Sequence, residues 1–415
     1  MAKGIKNISP WAWVPTLYLA EGLPLFIVTS LTTYLFKDLG FPNSQTVLFT
    51  SLIAYPWIFK PLWSPVVDSI RTKRWWVLAM QFPMAILVLL IAFLVPNGYT
   101  TIALILFAIT AFCSATHDIA ADGYYMIALD EKEQTFFVGI RSAFYKIASI
   151  LCQFGILKLI GYLQKNSYGN ATSWTIGLLA CSAILACMAV AHTWTMPKVE
   201  QAGDSKSLRA IGHEVLQPFI VFFRKPGIVL AICFMVFCRL PESVLLKLRD
   251  TFLVDPIEAG GMFLPKGRIA DLNMIGILTT LVGGLGGGWW AHKAGLKRVI
   301  IPMILCIALP SIVYVYLAQY QPTAFWKLAT CVGFEQFGYG VGYTACMLYM
   351  LKIADGEYKT SVFSICTAFM YIGLVLPGTV SGYIQEAIGY VNAFWVVMAC
   401  CIPSIVITYL VYRKL

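Results

Sequence analysis

Five acidic residues stand inside long apolar runs of this sequence: Glu21, Asp118, Asp122, Glu242 and Glu335. A carboxylate in hydrocarbon costs roughly 2.5–3.5 kcal/mol on insertion scales, so each needs a polar pathway, a cationic partner or a proton to hold it there. The chemistry open to such groups is proton exchange, in which an acid loads on one side of a barrier and unloads on the other. Glu21 and Glu335 lie deepest in their runs and are the residues expected to carry the proton, with Asp118 and the neighbouring His117 as further titratable groups. Asp122, one turn beyond Asp118, reads as half of a charge latch whose other half is Arg71, Arg74 or Arg141. Arg239, one turn from Glu242, reads as an internal ion pair.

The cations inside apolar runs raise the complementary question. A buried ammonium needs an anion, either a protein carboxylate or a charged solute. Lys60 and Lys146 are therefore candidate substrate contacts. Lys146 lies on a polar stripe with Ser142, Ser149 and Gln153 at helical spacing, and Thr367 and Tyr371 mark a second stripe near the end of the chain. Tyr339 and Tyr343 add amphipathic rings suited to a sugar face.

These side chains must be positioned by membrane-spanning helices. Residues are 59% hydrophobic and only 12% charged over 415 positions, which excludes a water-soluble surface. About twelve apolar runs, from 11–36 to 390–411, are long enough to cross ~30 Å of hydrocarbon. The expected fold is thus an all-α membrane protein of twelve transmembrane helices in two six-helix bundles. The first is expected over 1–195, a cytoplasmic linker with the amphipathic segment Leu208 to Phe223 over 196–225, and the second bundle over 226–415. The net charge of +10 falls in short loops such as Arg71, Lys73, Arg74 and Lys293, Lys297, Arg298. That distribution reports topology and membrane lipid contact rather than nucleic-acid binding, and it places both termini in the cytoplasm.

An internal repeat relates the two halves. Asp68-Ser-Ile-Arg-Thr-Lys73-Arg74 after the second run reappears as His292-Lys-Ala-Gly-Leu-Lys297-Arg298 after the eighth. The cysteines form no C-x-x-C pair, and no metal or cofactor is expected. The cluster from Gly283 to Gly288 has no preceding strand, so it reads as helix packing through Gly284 and Gly288 rather than as a phosphate loop. Pro24 and Pro377 are expected to kink their helices.

The paired basic loops resemble those of the major facilitator superfamily, and Asp68, Arg71 and Arg74 match its loop motif in the first copy. Within that superfamily the run F-E-Q-F-G-Y-G-V-G-Y-T-A from Phe334 resembles the AmpG-type muropeptide permeases and the related acetyl-CoA transporters. So do A-E-G-L-P-L from Ala20, F-K-P-L-W-S-P-V-V-D from Phe59, A-T-H-D-I-A-A-D-G from Ala115, and L-P-G-T-V-S-G-Y-I-Q-E-A-I-G from Leu376. The resemblance spans both halves. It implies a monomeric, proton-coupled importer of peptidoglycan fragments in the bacterial inner membrane, working by alternating access. An acetyl-CoA or other organic-anion carrier shares the resemblance. A membrane-embedded transferase, with His117 and Asp118 as an acid–base pair, is the alternative from another class.

Overall fold

The computed structural model describes residues 8–95, 98–200, 208–356 and 359–414. Within them, the side chains of 61, 65, 68–69, 131–132, 134–136, 138–139, 142, 208–215 and 359–360 are not described. Asp68 and Ser142 therefore lie outside the described side chains. All regular structure among the described residues is helical.

The first pass is α1 (Val14–Phe26), a π-helical turn (Ile27–Leu31) and α2 (Thr32–Asp38). Pro24 removes a backbone donor inside α1, and the ladder widens just after it. Thr32 Oγ1 donates to the Ile27 carbonyl at 2.9 Å, satisfying an acceptor in the widened turn. The second pass is broken into α3 (Asn43–Leu52), α4 (Tyr55–Phe59), a 3-10 turn (Lys60–Leu62) and α5 (Ser64–Ser69). Its hydropathy suggested one continuous run. Pro56, Pro61 and Pro65 each lack an N–H and stand in the first turn of α4, of the 3-10 turn and of α5, the position where a helix leaves that donor unused, so each proline opens a new short segment.

Four passes complete the first half: α6 (Lys73–Leu94), α7 (Thr100–Ala128), α8 (Glu131–Ile150) continued through a second π turn (Leu151–Ile156) into α9 (Leu157–Lys165), and α10 (Asn170–Thr195). A capping box starts α8: Asp130 accepts from the Glu133 N–H at 2.8 Å, and Glu133 accepts in return from the Asp130 N–H at 3.2 Å. The two π turns pack on each other.

The amphipathic segment forms α11 (Leu208–Arg224). The second half follows as α12 (Ile228–Phe237), α13 (Leu240–Val254), α14 (Lys266–Ala294), α15 (Leu296–Ala308), α16 (Ile312–Tyr320), α17 (Phe325–Ala354) and α18 (Lys359–Lys414). Gly389, at φ 76°, divides α18 into two passes, a conformation that glycine adopts without a Cβ clash. Nine stretches among the described residues are long and apolar enough to cross a membrane, and one of them, Ser361–Lys414, contains both of those passes. The proline-broken second pass and α17, diluted by Glu335, Gln336, glycines and tyrosines, bring the passes to the twelve expected.

The chain divides into two compact units. One takes the chain up to Leu39 and from Ile53 to His213; the other takes Gly40–Leu52 and everything from Glu214. The first has its core around Trp13, Leu17, Tyr18, Val77, Ala121 and Tyr124. The second is built on Phe234, Met303, Ile304, Tyr349 and Met350, and Phe222 of α11 joins it, stacked on Phe369 at 5.7 Å. Helix α3, sequence-adjacent to the first bundle, packs on α18 in the second unit. There Asn43 donates to Asp255 at 2.6 Å and to Gln385 at 2.6 Å, and Tyr390 donates to Asp255 at 2.6 Å.

The glycine cluster packs α14 against α17 with Gly284 in the contact, as expected, and with Gly283 and Gly287 rather than Gly288 beside it: a Cβ at Gly340 would come within 2.8 Å of the Gly284 nitrogen, and Thr344 donates to the Gly284 carbonyl at 3.3 Å. A Cβ at Gly283 would run into the Phe337 carbonyl, and one at Gly287 would come within 3.1 Å of the Val341 backbone. A Cβ at Gly284 itself would have nothing nearer than 3.9 Å, and Gly288 faces open space. Neighbouring helix residues diverge by about 100°, so spacing alone did not say which of these glycines meet α17.

Candidate functional site

In the first unit the acids and cations of α1, the 3-10 turn Lys60–Leu62, α7 and α8 meet. Gly22 lets α1 approach α8 closely, since a Cβ there would lie 2.8 Å from that of Ala148. Asp122 of α7 is joined to Arg141 of α8 at 2.8 Å and accepts from the Tyr18 hydroxyl at 3.3 Å. The Arg141 guanidinium lies over the Tyr18 ring at 4.5 Å, adding a cation–π contact. Asp118 accepts from the Trp57 indole at 3.0 Å, and the Lys60 ammonium stands 3.7 Å away.

Glu21 lies within electrostatic reach of both pairs, near Asp122, Asp118, Arg141 and Lys60. Three carboxylates thus share two cations, and the pairs Asp118–Lys60 and Asp122–Arg141 leave Glu21 over. It is buried at 7% exposure, and its Oε2 has no hydrogen-bond partner among the described residues. Asp118 Oδ1 likewise has no hydrogen-bond partner among the described residues. Lys60, a candidate solute contact, lies beside Asp118, one of the anions open to it.

Lys146 stands apart. It is half-buried, and among the described residues no ion pair or hydrogen bond engages its ammonium. On the same stripe Gln153 donates to Ser149 at 2.8 Å. Gln153 falls inside the π turn of this pass, which shifts its side chain relative to a regular α-helix.

His117 does not pair with Asp118. Consecutive helix residues diverge by about 100°, so the two point to different neighbours. His117 Nε2 meets Gln81 Nε2 at 2.9 Å, Gln81 Oε1 meets His192 Nδ1 at 2.9 Å, and His192 Nε2 meets Thr16 Oγ1 at 2.9 Å. The Gln81 amide thus bridges the two imidazoles, its nitrogen facing His117 and its oxygen facing His192. This buried chain joins α1, α6, α7 and α10. Gln81 and His192 escaped the sequence reading; each is a lone polar residue on an apolar helix face, with no motif around it.

The arginines of the basic loop diverge as well. Arg71 is exposed, whereas Arg74 donates to the Met196 and Thr193 carbonyls at 2.9 and 2.6 Å, closing the end of α10.

The second unit holds a separate cluster. Arg239 and Glu242 form a bidentate pair, with both bonds at 2.7 Å. Tyr339 and Tyr343 of α17 flank the guanidinium at 5.6 and 5.0 Å, and Arg239 donates to the Tyr339 hydroxyl at 3.2 Å. Behind them the Cys238 and Cys346 sulfurs approach to 3.3 Å. Glu335 is buried at 4% exposure, accepts from Gln336 at 2.9 Å, and lies within electrostatic reach of Arg249, which is 3.1 Å from Asp250. The Lys247 ammonium donates to Thr50 of α3 at 3.0 Å, a cation that the sequence reading passed over. Thr367 donates to the Ser364 carbonyl at 2.8 Å within its own helix, and Tyr371 is half-buried.

Comparison with known proteins adds to this geometry. Residues 16–265 and 264–414 each match the model of the Major Facilitator Superfamily. The anhydromuropeptide permease of Escherichia coli K12 is 25% identical over 396 residues, covering 94% of this chain and 77% of that one. A transporter named AmpG 4 of Rickettsia felis is 22% identical over 405 residues, covering 95% of both. Among solved structures, the nucleoside transporter NupG, in a mutant form, superposes with a TM-score of 0.71 at 17% identity, over 97% of this chain and 98% of that one. A proton-dependent oligopeptide transporter gives 0.68 at 15%, with the same coverage of both chains. At these identities the structural likeness shows the fold.

Proposed function

From the premise that this chain belongs to the major facilitator superfamily of secondary transporters, we propose that it imports anhydromuropeptides with protons across a bacterial inner membrane by alternating access. It is a multi-pass membrane protein whose relatives move small molecules. The identity of the solute is supported by the muropeptide permease named above and by the motifs around Glu21, Asp118 and Glu335.

The observation that carries the reading is the charge imbalance in the first unit. With Asp118 and Asp122 each assigned a cation, Glu21 is the acid left to a proton. Lys146 is the complementary element, an ammonium in a membrane span with an anion still to be supplied. A muramyl or peptide carboxylate would supply it. Glu335 is the corresponding buried acid of the second unit.

The test is uptake of labelled GlcNAc-anhydroMurNAc into proteoliposomes under an imposed pH gradient. Accumulation that collapses with a protonophore is expected. Folded, reconstituted protein that accumulates nothing would refute the proposal. Competition by CoA esters in place of muropeptides would reassign the solute to an organic anion of the acetyl-CoA type.

A further inference from the structure

Where α6 begins and α10 ends, the first unit carries a cavity of about 360 Å³ unrelated to the buried charges. Its upper wall is polar: Thr72, Arg74, Lys198 and Glu200. Its lower wall is one face of α6, with Trp75, Leu78, Ala79 and Phe82 at the i, i+3, i+4, i+7 spacing of a single helix stripe. Trp75 is 46% and Phe82 40% exposed, so the stripe lies open at the surface of the unit.

The polar wall favours an anion. Glu200 is occupied as a helix cap, accepting from the backbone N–H of Lys73 at 2.5 Å and of Arg74 at 3.4 Å, while Thr72 accepts from that of Trp75 at 3.1 Å. Arg74 is pinned by Nε and Nη2 to neutral carbonyls, which orient the guanidinium without discharging it. Lys198 is exposed and engaged by no hydrogen bond or ion pair among the described residues. Two cations and the positive end of a 22-residue helix therefore meet one committed carboxylate.

We propose that this cavity binds one anionic phospholipid, its phosphate between Arg74 and Lys198 and an acyl chain along the Trp75–Leu78–Phe82 face. The complementarity is twofold: charge in one part of the lining and an apolar stripe in the other, as a single lipid carries a charged headgroup and an apolar chain. The cavity volume falls within the roughly 300–1,000 Å³ of small-molecule sites. A bound lipid would hold the connector after α10 against α6.

Native mass spectrometry of the purified full chain, titrated with phosphatidylglycerol or phosphatidylcholine, tests this. One phosphatidylglycerol should be retained in preference to phosphatidylcholine. Lys198→Ala should weaken that retention about fivefold, the effect of ~1 kcal/mol per basic residue near a lipid surface. Leu78→Trp should abolish it by filling the stripe, and glycerol phosphate, which has a headgroup and no chains, should not compete. Equal retention of the two lipids, wild-type retention by Lys198→Ala, or displacement by glycerol phosphate would each overturn the site. Lys198 is exposed and makes no hydrogen bond or ion pair among the described residues, so that arm stands even if Leu78→Trp unfolds.

Discussion

The Arg239–Glu242 pair makes an asymmetric prediction. Both residues are nearly inaccessible, at 5% and 8% exposure, and their side chains are joined by two 2.7 Å bonds. Removing one partner of a buried pair costs about 3–5 kcal/mol, because the other is left charged and unpaired. The two deletions are unequal in kind. Glu242→Leu leaves a guanidinium, which cannot lose its proton. The flanking Tyr339 and Tyr343 rings return only ~0.5–2 kcal/mol, so this variant should bear most of the penalty. Arg239→Met leaves a carboxyl, a group that has a neutral form where a guanidinium has none, and it should cost ~1–3 kcal/mol, the range for a buried polar group without its partner. The double variant Arg239→Met/Glu242→Leu replaces the pair with apolar side chains and should recover to within about 1 kcal/mol of wild type. The assay is thermal unfolding in detergent of all four proteins as a double-mutant cycle, followed by transport in liposomes. Equal destabilisation by the two single variants, or a double variant no better than Glu242→Leu, would refute the reasoning. A stable double variant that transports nothing would show that the pair also serves the solute.

Other expectations follow from the first unit and from the α14–α17 contact. Lys146→Met should raise the KM for uptake about ten- to hundredfold, the value of a hydrogen bond to a charged group, while leaving the unfolding temperature unchanged or higher; unchanged kinetics would remove Lys146 from the solute site. Glu21→Gln should abolish gradient-driven accumulation while preserving solute exchange between equilibrated compartments, and an intact response to the gradient would move coupling to another acid. Gln81→Leu strands His117 Nε2 and His192 Nδ1, so a loss of about 1–3 kcal/mol is expected in thermal unfolding, against near-neutral behaviour if the four-group chain contributes nothing. Gly283→Ala pushes a methyl into the Phe337 carbonyl and should destabilise by ~1–3 kcal/mol, whereas Gly288→Ala meets open space and should not; the reverse order in unfolding temperature would contradict the register.

The amino-acid sequence by itself determined the membrane setting, the helical class, the number of passes and the doubled architecture. Each follows from hydrophobic run length and loop charge, which act locally along the chain. It also named the acids and cations that matter, because an ionisable group in an apolar run is conspicuous at any position. Tertiary structure alone decided who partners whom. That Lys60 goes to Asp118, Arg141 to Asp122 and neither to Glu21 depends on the approach of α1 to α8 at Gly22 and on the proline-broken second pass that carries Lys60. The Gln81–His192 chain and the Gly283 and Gly287 face lay beyond sequence reading for the same reason. Helical periodicity says which residues share a face, and only the packing of one helix on another says what that face meets.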